Sequence, residues 1–409
     1  MKSTFETRLR LTDETDAILS EVAAYLSSVQ RKLFSDLARG EKSKDLKSLY
    51  LKKYGLTARQ FNAFRVSIEG KIASYKEIRK SQKETLKGKI TSLENALSKR
   101  KASSLILHQK KRKLLNLKHK LTQLDNLSLC FGSKKKFREQ FHLEEKSFER
   151  WKKEWQETRN NEFFCLGSKD EIDGNQTFTL TKGGRLRLPP FFEEKYGKYL
   201  YIPGVFFRYG QKQIEQALKA KRALSYRFKR DAKSWKLFAS VDIDLPKIVT
   251  LKQKGAIGID INEDHLAITE IDTYGNPIKS FRIESCFYGL NTTQVKAKIG
   301  EIAKEITLYA KQVKKPLVLE KLDFSKKKAQ LKEGNCKYRR MLSSFSYSKL
   351  KEFIEVKALK EGVEVFFVNP AYTSVIGREK FSQRYGLTNH QSAALVIARR
   401  IYSFSDCLT

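Results

Sequence analysis

The chain has no CxxC pair. Its five cysteines, Cys130, Cys165, Cys286, Cys336 and Cys407, are scattered and odd in number. That excludes a disulfide framework and a zinc ribbon of the usual spacing. They are expected as reduced, partly buried thiols of a cytoplasmic protein. No apolar run is long enough to span a bilayer, and Met1–Leu11 lacks the apolar core of a signal peptide, so no membrane partner is expected. Acids are scarce as well: 46 Asp and Glu stand against 82 Lys and Arg, a formal charge of +36 over 409 residues. Such an excess implies a polyanionic partner, because each base that neutralises a phosphate releases counterions. The length allows about two to four domains and a substantial core.

Phe5–Leu11 alternates Phe5, Thr7, Leu9 and Leu11 and reads as a strand. Thr12 or Asp13 then caps a helix with Ile18, Val22, Tyr25, Val29 and Leu33 on one face. A second helical stretch, Thr57–Arg79, spaces Phe61, Phe64, Ile68 and Ile72 as core residues. Lys80–Leu129 is almost free of Gly and Pro and dense in Lys. Its stripes Leu86, Ile90, Leu93, Leu97 and Leu114, Leu117, Leu121, Leu124 predict two helices folding back as an antiparallel hairpin around Lys99–Ser104. The bases left outside, Lys110, Lys111 and Arg112 among them, are either a solvated surface or a nucleic-acid-facing arm.

Cys130–Asn161 interleaves bases with aromatics: Lys134, Lys135, Lys136, Phe137, Arg138, Phe141, Phe148, Arg150, Trp151, Trp155 and Arg159. Rings that stack on bases beside phosphate-holding cations have this pattern, and so does a helix that buries Trp and Phe with Lys outward. From Phe163 to Leu245 the texture is β. Thr177–Leu180, Arg185–Leu188, Tyr199–Ile202, Leu224–Lys229 and Trp235–Ile243 are divided by Gly, Pro and Asn turns, with a short helix around Gln211–Arg222. A small barrel is expected, to which Phe5–Leu11 adds a strand.

Gly255–Ile283 reads as three strands in a hairpin meander, and the first of them ends at Asp260. A helix over Thr292–Val313 follows, then a buried strand Leu317–Leu319 that stops at Glu320. Next come a helix over Ser344–Lys360, a strand over Gly362–Val368, a turn at Asn369–Ser374 and a final helix Gly386–Tyr402 carrying His390. The order β-β-β-α-β with acids closing strands one and four is that of an RNase H-like sheet. It would set Asp260 and Glu320 side by side, and a divalent cation is the usual resolution of such like-charge crowding. The bland alternatives are an acid that merely closes a strand, and a Glu320 paired to a Lys.

GIDINEDHLA, VLEKLDF, FSYSKLKEFIEVKALKEGVEVFFVNPAYTS and HQSAALVIARR, in this order over Ala256–Arg400, resemble the RuvC-type nuclease half of the TnpB family. These are transposon-encoded RNA-guided nucleases related to type V CRISPR effectors. The resemblance implies an α+β multidomain fold in which a small β-barrel wedge domain with a helical recognition insertion precedes an RNase H-like (RuvC) domain. The expected boundaries are 1–11 for the first wedge strand, 12–161 for the recognition domain with its Lys-rich hairpin at 80–129, 162–250 for the wedge barrel and 251–409 for the nuclease domain. Two departures stand out. Val375-Ile376-Gly377-Arg378 occupies the place of the family's zinc ribbon, so this is read as a variant without structural zinc. His390 falls where the family has its third catalytic Asp.

The resemblance implies a two-metal site with catalytic and metal-holding roles for Asp260, Glu320 and His390: Asp260 would bridge two Mg²⁺ ions, Glu320 would hold one and the third residue the other. Imidazole suits Mn²⁺ better than it suits Mg²⁺. It implies a guide RNA and target double-stranded DNA as partners, read through heteroduplex shape by the basic segments, with Arg399 and Arg400 near the active edge. A homodimer on one RNA and a nucleoid-associated bacterial or archaeal setting are further expectations. Three alternatives stay open: a cleavage-deficient RNA-guided binder acting as repressor or transposition-targeting subunit, a guide-independent junction nuclease, and a ribosome- or nucleoid-associated structural protein.

Overall fold

The structure is a computed structural model that describes residues 1–98, 104–124, 129–181, 183–232, 234–287, 289–321, 347–402, 404 and 406. The expected hairpin bend at 99–103, Cys336, Cys407 and the start of the helix expected from Ser344 lie outside these residues. The chain divides into two compact units, 1–90 with 101–244 and 91–100 with 245–409.

In the first unit, β1 (Lys2–Arg8), β2 (Glu162–Cys165), β6 (Leu224–Arg230) and β7 (Trp235–Asp242) form an antiparallel sheet in the order β1-β7-β6-β2. A second antiparallel sheet holds β3 (Phe178–Thr179), β4 (Arg185–Arg187) and β5 (Tyr199–Tyr201). The described strands are therefore bonded in two separate sheets rather than in the closed barrel expected from the alternation. Phe178 packs edge-on against Tyr226 and Phe228 and joins their interiors. The first strand starts three residues earlier than its Phe5–Leu11 alternation indicates, because its ladder to β7 begins at Lys2.

Helix α1 (Asp13–Ala38) is capped by Thr12, whose Oγ1 accepts from Thr15 N at 3.3 Å. It buries Leu19, Val22, Val29 and Leu33 in the same core as Phe163, Phe228 and Trp235. The helical and β segments expected as separate domains thus share one interior. Helix α2 (Ser43–Lys53) was not expected; Leu46 and Tyr50 are its two buried residues. The two helical stretches expected on either side of Arg79 are one helix, α3 (Ala58–Ser98), of 41 residues. No Gly-Pro break interrupts it, so the Lys-rich segment simply continues the buried Phe61, Phe64, Ile68 stripe. Helix α4 is Ser104–Gln123, and Leu114, Leu117, Leu121 and Leu124 form a half-buried stripe along its end. The short α5 (Lys134–Glu139) and α6 (Glu145–Arg159) follow, then α7 (Glu193–Tyr196) and α8 (Gln211–Lys219).

The second unit is built on a five-stranded sheet of order β10-β9-β8-β11-β12, from β8 (Ala256–Ile261), β9 (His265–Ile271), β10 (Pro277–Glu284), β11 (Leu317–Glu320) and β12 (Val365–Val368). The meander β8-β9-β10 is antiparallel, while β11 runs parallel to both β8 and β12. Helix α9 (Thr292–Val313) opens on an Asn291–Gln294 capping box, and α10 is Tyr347–Glu361. A strand turns alternate side chains to opposite faces. Ile257, Ile259, Leu317 and Leu319 pack with Ile299, Ile302, Ile306, Leu350 and Ile354, so α9 and α10 cover that face. Ala256 and Val318 face the other way, toward Leu395, Val396 and Ala398 of the last helix, α11 (Asn389–Arg399). The turn expected at Asn369–Ser374 leads into one helical turn, Thr373–Ile376, and a π-helical stretch Gly377–Ser382 whose Phe381 joins the same cluster.

Gly258, on the α11 face of β8, sets the height of that helix. A Cβ there would lie 1.9 Å from the Ala394 carbonyl oxygen, a backbone atom that cannot rotate away. Gly258→Ala should therefore push α11 off the sheet and lose about 1–3 kcal/mol of stability, the usual cost of overpacking. Thermal and urea denaturation check this, and a melting temperature equal to the parent's refutes it.

Candidate active site

Register alone brings the two acids together. Leu319 of β11 pairs with Ile259 of β8 in parallel alignment, so the next residues, Glu320 and Asp260, are neighbours on adjacent strands about 5 Å apart. Both fall in the same phase as Val318 and Gly258 and so point to the α11 side. Helix α11 starts at Thr388, whose capping box with Gln391 fixes its first turn. Thr269 Oγ1 of β9 donates to Gln391 O at 2.8 Å and ties that turn to the sheet. His390 consequently sits over Asp260, with Nδ1 3.0 Å from Asp260 Oδ2. Residues 130 positions apart in sequence meet in one hydrogen bond.

The local surroundings are polar and tightly bonded. Asn262 Nδ2 donates to Asp260 Oδ2 at 3.0 Å. Thr373 Oγ1 donates to Glu320 Oε1 at 2.5 Å, and Tyr347 OH donates to the Glu320 carbonyl at 2.6 Å. The ring of His265, itself 2.7 Å from Asp264 Oδ1, meets the His390 ring edge-on at 4.9 Å between centroids. Burial pushes the Glu320 carboxyl above its ordinary range; the Thr373 hydrogen bond and Arg400 act against it, and the Asp260 charge with it. Asp260 is nearly buried, its side chain 13% exposed, whereas the His390 side chain is 50% exposed.

Two adjacent carboxylates are a donor set that suits a hard divalent cation. The third corner differs. Among the described residues, no group of three or more His, Cys, Asp or Glu is arranged to hold a metal ion, and the His390 Nδ1 is turned onto Asp260. Asn262, His265, Tyr347 and Thr373 were not singled out from the sequence. Only Asn262 and Thr373 had a readable signal, the first sitting two residues after the acid and the second inside the Tyr-Thr-Ser turn.

The basic residues expected to meet nucleic acid divide sharply. Lys111, Arg112, Lys134, Lys135 and Arg138 are exposed, and Lys110 is half-exposed. Lys136 is spent on Glu154 at 2.6 Å. Trp151 is buried beside Trp155, and its Nε1 donates to the Lys136 carbonyl at 2.7 Å, so this indole is a packing group and offers no free face to a base. Arg399 is also a structural residue. Its guanidinium holds Asp406 at 2.8 and 3.0 Å and the Gly275 carbonyl at 2.8 Å, between the rings of Phe381 and Phe404. Arg400 reaches the Asn369 and Ala371 carbonyls instead of open solvent. A basic groove that the sequence did not reveal lies in the first unit. It encloses about 750 Å³ and is lined in part by Arg31, Lys71, Arg159, Arg227 and Lys229. Burial, with Arg159 nearby, pushes the Arg31 guanidinium down to about 10.

Counted within the second unit, the strand order is 3-2-1-4-5, antiparallel for the first three strands and parallel thereafter. With acids ending strands one and four, this is an RNase H-like domain. No protein-family model matches the chain. It is 27% identical to a TnpB-like protein of Methanocaldococcus jannaschii over an alignment of 167 positions that takes in 33% of this chain and 60% of that relative's length. Similar solved structures include T. thermophilus RuvC in complex with a Holliday junction substrate, at 14% identity over 35% of this chain and 90% of that one with a TM-score of 0.25. Another is the Cas12f1–sgRNA–target DNA complex, at 14% identity over 98% and 100% with a TM-score of 0.26. At those TM-scores the strand order, not the superpositions, carries the fold assignment. No described helix is long and apolar enough to cross a membrane.

The raised Glu320 carboxyl has a thermodynamic consequence. The folded chain holds that proton more tightly than the unfolded chain, so ionised Glu320 weighs against folding at neutral pH and ceases to do so once pH falls below about 4. In a chelator, Glu320→Gln should melt above the parent at pH 7, with the difference shrinking toward zero near pH 4. Thermal denaturation across that range checks it, and an equal or lower melting temperature at pH 7 contradicts it.

Proposed function

We propose that the chain is an RNA-guided DNA endonuclease of the TnpB type, hydrolysing phosphodiesters at Asp260, Glu320 and His390. The observation that carries this reading is the meeting of Asp260, Glu320 and His390 at one edge of an RNase H-like sheet. The large positive charge and the exposed bases of α4 and α5 are the features a guide RNA and its DNA heteroduplex would engage.

Asp260 and Glu320 would hold Mg²⁺ or Mn²⁺, which when bound polarises the phosphoryl oxygen and lowers the pKa of an attacking water. Asn262 and Thr373 orient the two carboxylates. With the proton on Nδ1, His390 donates to Asp260, and Nε2 is left to take a proton from the attacking water. The half-exposed position of His390 keeps that nitrogen within reach of solvent.

A second reading, a cleavage-deficient RNA-guided DNA-binding protein, draws on the same histidine: an imidazole bonded to Asp260 removes one negative charge from the site. Cleavage of a plasmid matched to the copurifying RNA decides between the two. The expected result is cutting, stimulated more by Mn²⁺ than by Mg²⁺. Asp260→Ala should lower the rate at least about 100-fold, since a bound ion supplies several kcal/mol of charge stabilisation. His390→Asp should shift the preference back toward Mg²⁺. A matched target that is protected but never cut with either ion, whatever stands at position 260, leaves the binder.

A further inference from the structure

Tyr372 is held in the left-handed region, at φ 61° and ψ 11°, with its side chain in solvent. A bulky residue rarely adopts that conformation, and the strain needs surroundings that impose it. Here they do. Asn369 Oδ1 accepts from Ala371 N at 3.0 Å, and the Arg400 guanidinium holds the carbonyls of Asn369 and Ala371. Thr373 Oγ1 contacts both Pro370 O at 3.2 Å and Glu320 Oε1. The turn is thus pinned from both sides of Tyr372, and one of its pins is the candidate catalytic acid itself. The residue is 68% exposed, and among the described residues its ring has no ring or cation partner. An aromatic fixed outward, under strain, one residue from a group that bonds Glu320 has no packing reason to be there.

We propose that Tyr372 is a base-stacking residue that seats the single DNA strand whose phosphate enters the site of Asp260 and Glu320. An aromatic face takes any base, so the contact would fix the position of the strand without reading its sequence. The pinned turn fixes the direction of the Tyr372 Cα–Cβ bond, and the side chain already lies at the surface. This proposal rests on the nuclease reading, yet its test needs no cleavage.

The full chain is titrated in a chelator with fluorescein-labelled oligodeoxythymidylate, at about 0.3 M salt to weaken phosphate-driven binding. Tyr372→Gly and Tyr372→Ala should raise Kd by about 5- to 150-fold, while Tyr372→Phe matches the parent. Tyr372→Gly should melt no lower than the parent, because glycine accepts the positive φ. In Tyr372→Trp the added indole fluorescence should be quenched by the oligonucleotide. Unchanged Kd in both the Gly and Ala variants, an unquenched indole, or an effect confined to an oligoribonucleotide of equal length would overturn the proposal. If the stacking signals hold but the RNA-loaded protein cuts no matched DNA, the nuclease reading fails and the seat stands. If it cuts while the signals are absent, the reverse is true.

Discussion

The site depends on how close one helix can lie to one strand. Helix α11 rests on β8 with the Ala394 carbonyl almost on the Gly258 Cα, at a separation no side chain could fit. Around that contact the helix contributes Ala393, Ala394 and Ala398, and the π-helical segment brings its own bare position, Gly377, against Ser392. Small residues on both sides convert a helix-on-sheet packing into a close backbone approach. The first turn of the helix thereby comes low enough for His390 to reach a carboxylate at the end of the central strand. A helix seated higher by the width of one methyl group would leave Asp260 and His390 without their hydrogen bond.

The sheet divides its charges by face. On the side of α9 and α10, Glu270 is buried but fully answered: Lys315 Nζ lies 2.6 Å from its Oε1 and also donates to the Ile271 carbonyl, and Tyr309 donates to its other oxygen. Burying a charge without such partners is costly, so that network closes the interior. On the α11 side, among the described residues, Asp260 and Glu320 are met directly by His390, Asn262 and Thr373, with the Arg400 guanidinium as the more distant cation. One sheet therefore contains an acid paired to a lysine on one face and two adjacent acids without a lysine or arginine in direct contact, among the described residues, on the other. Arrangements of the second kind cost stability and are kept where they do chemistry.

Much of the second unit was legible because its signals are local. Alternation set the three meander strands, apolar spacing marked the helices, and the acids stood at the ends of the apolar runs Ile257–Ile259 and Leu317–Leu319; the capping box at Thr388 starts the last helix at Asn389, three residues later than expected. The convergence of the acids followed from strand order, since parallel register leaves little freedom once Ile259 and Leu319 are paired. What failed to show was long-range or side-chain specific. Composition cannot distinguish a Trp that stacks on a base from Trp151, which spends its N–H on a carbonyl. Nor can it tell that Arg399 is consumed by Asp406, seven residues on. The apolar stripe of the single helix Ala58–Ser98 thins near Arg79 and so reads as two segments, although nothing in the backbone chemistry interrupts it. Whether seven short strands close into a barrel depends on pairings between distant edges, which alternation does not encode.

His390 changes the energetics of the site as much as its chemistry. Three carboxylates converging on one point would repel strongly without a cation, and folding would depend on the ion. An imidazole in the third position removes one of those charges and gives Asp260 a direct partner, so the two-acid remainder is tolerable within a folded core. The same substitution lowers the negative potential that draws a hard ion in. The His265 ring, itself bonded to Asp264, packs edge-on against the imidazole in this pose.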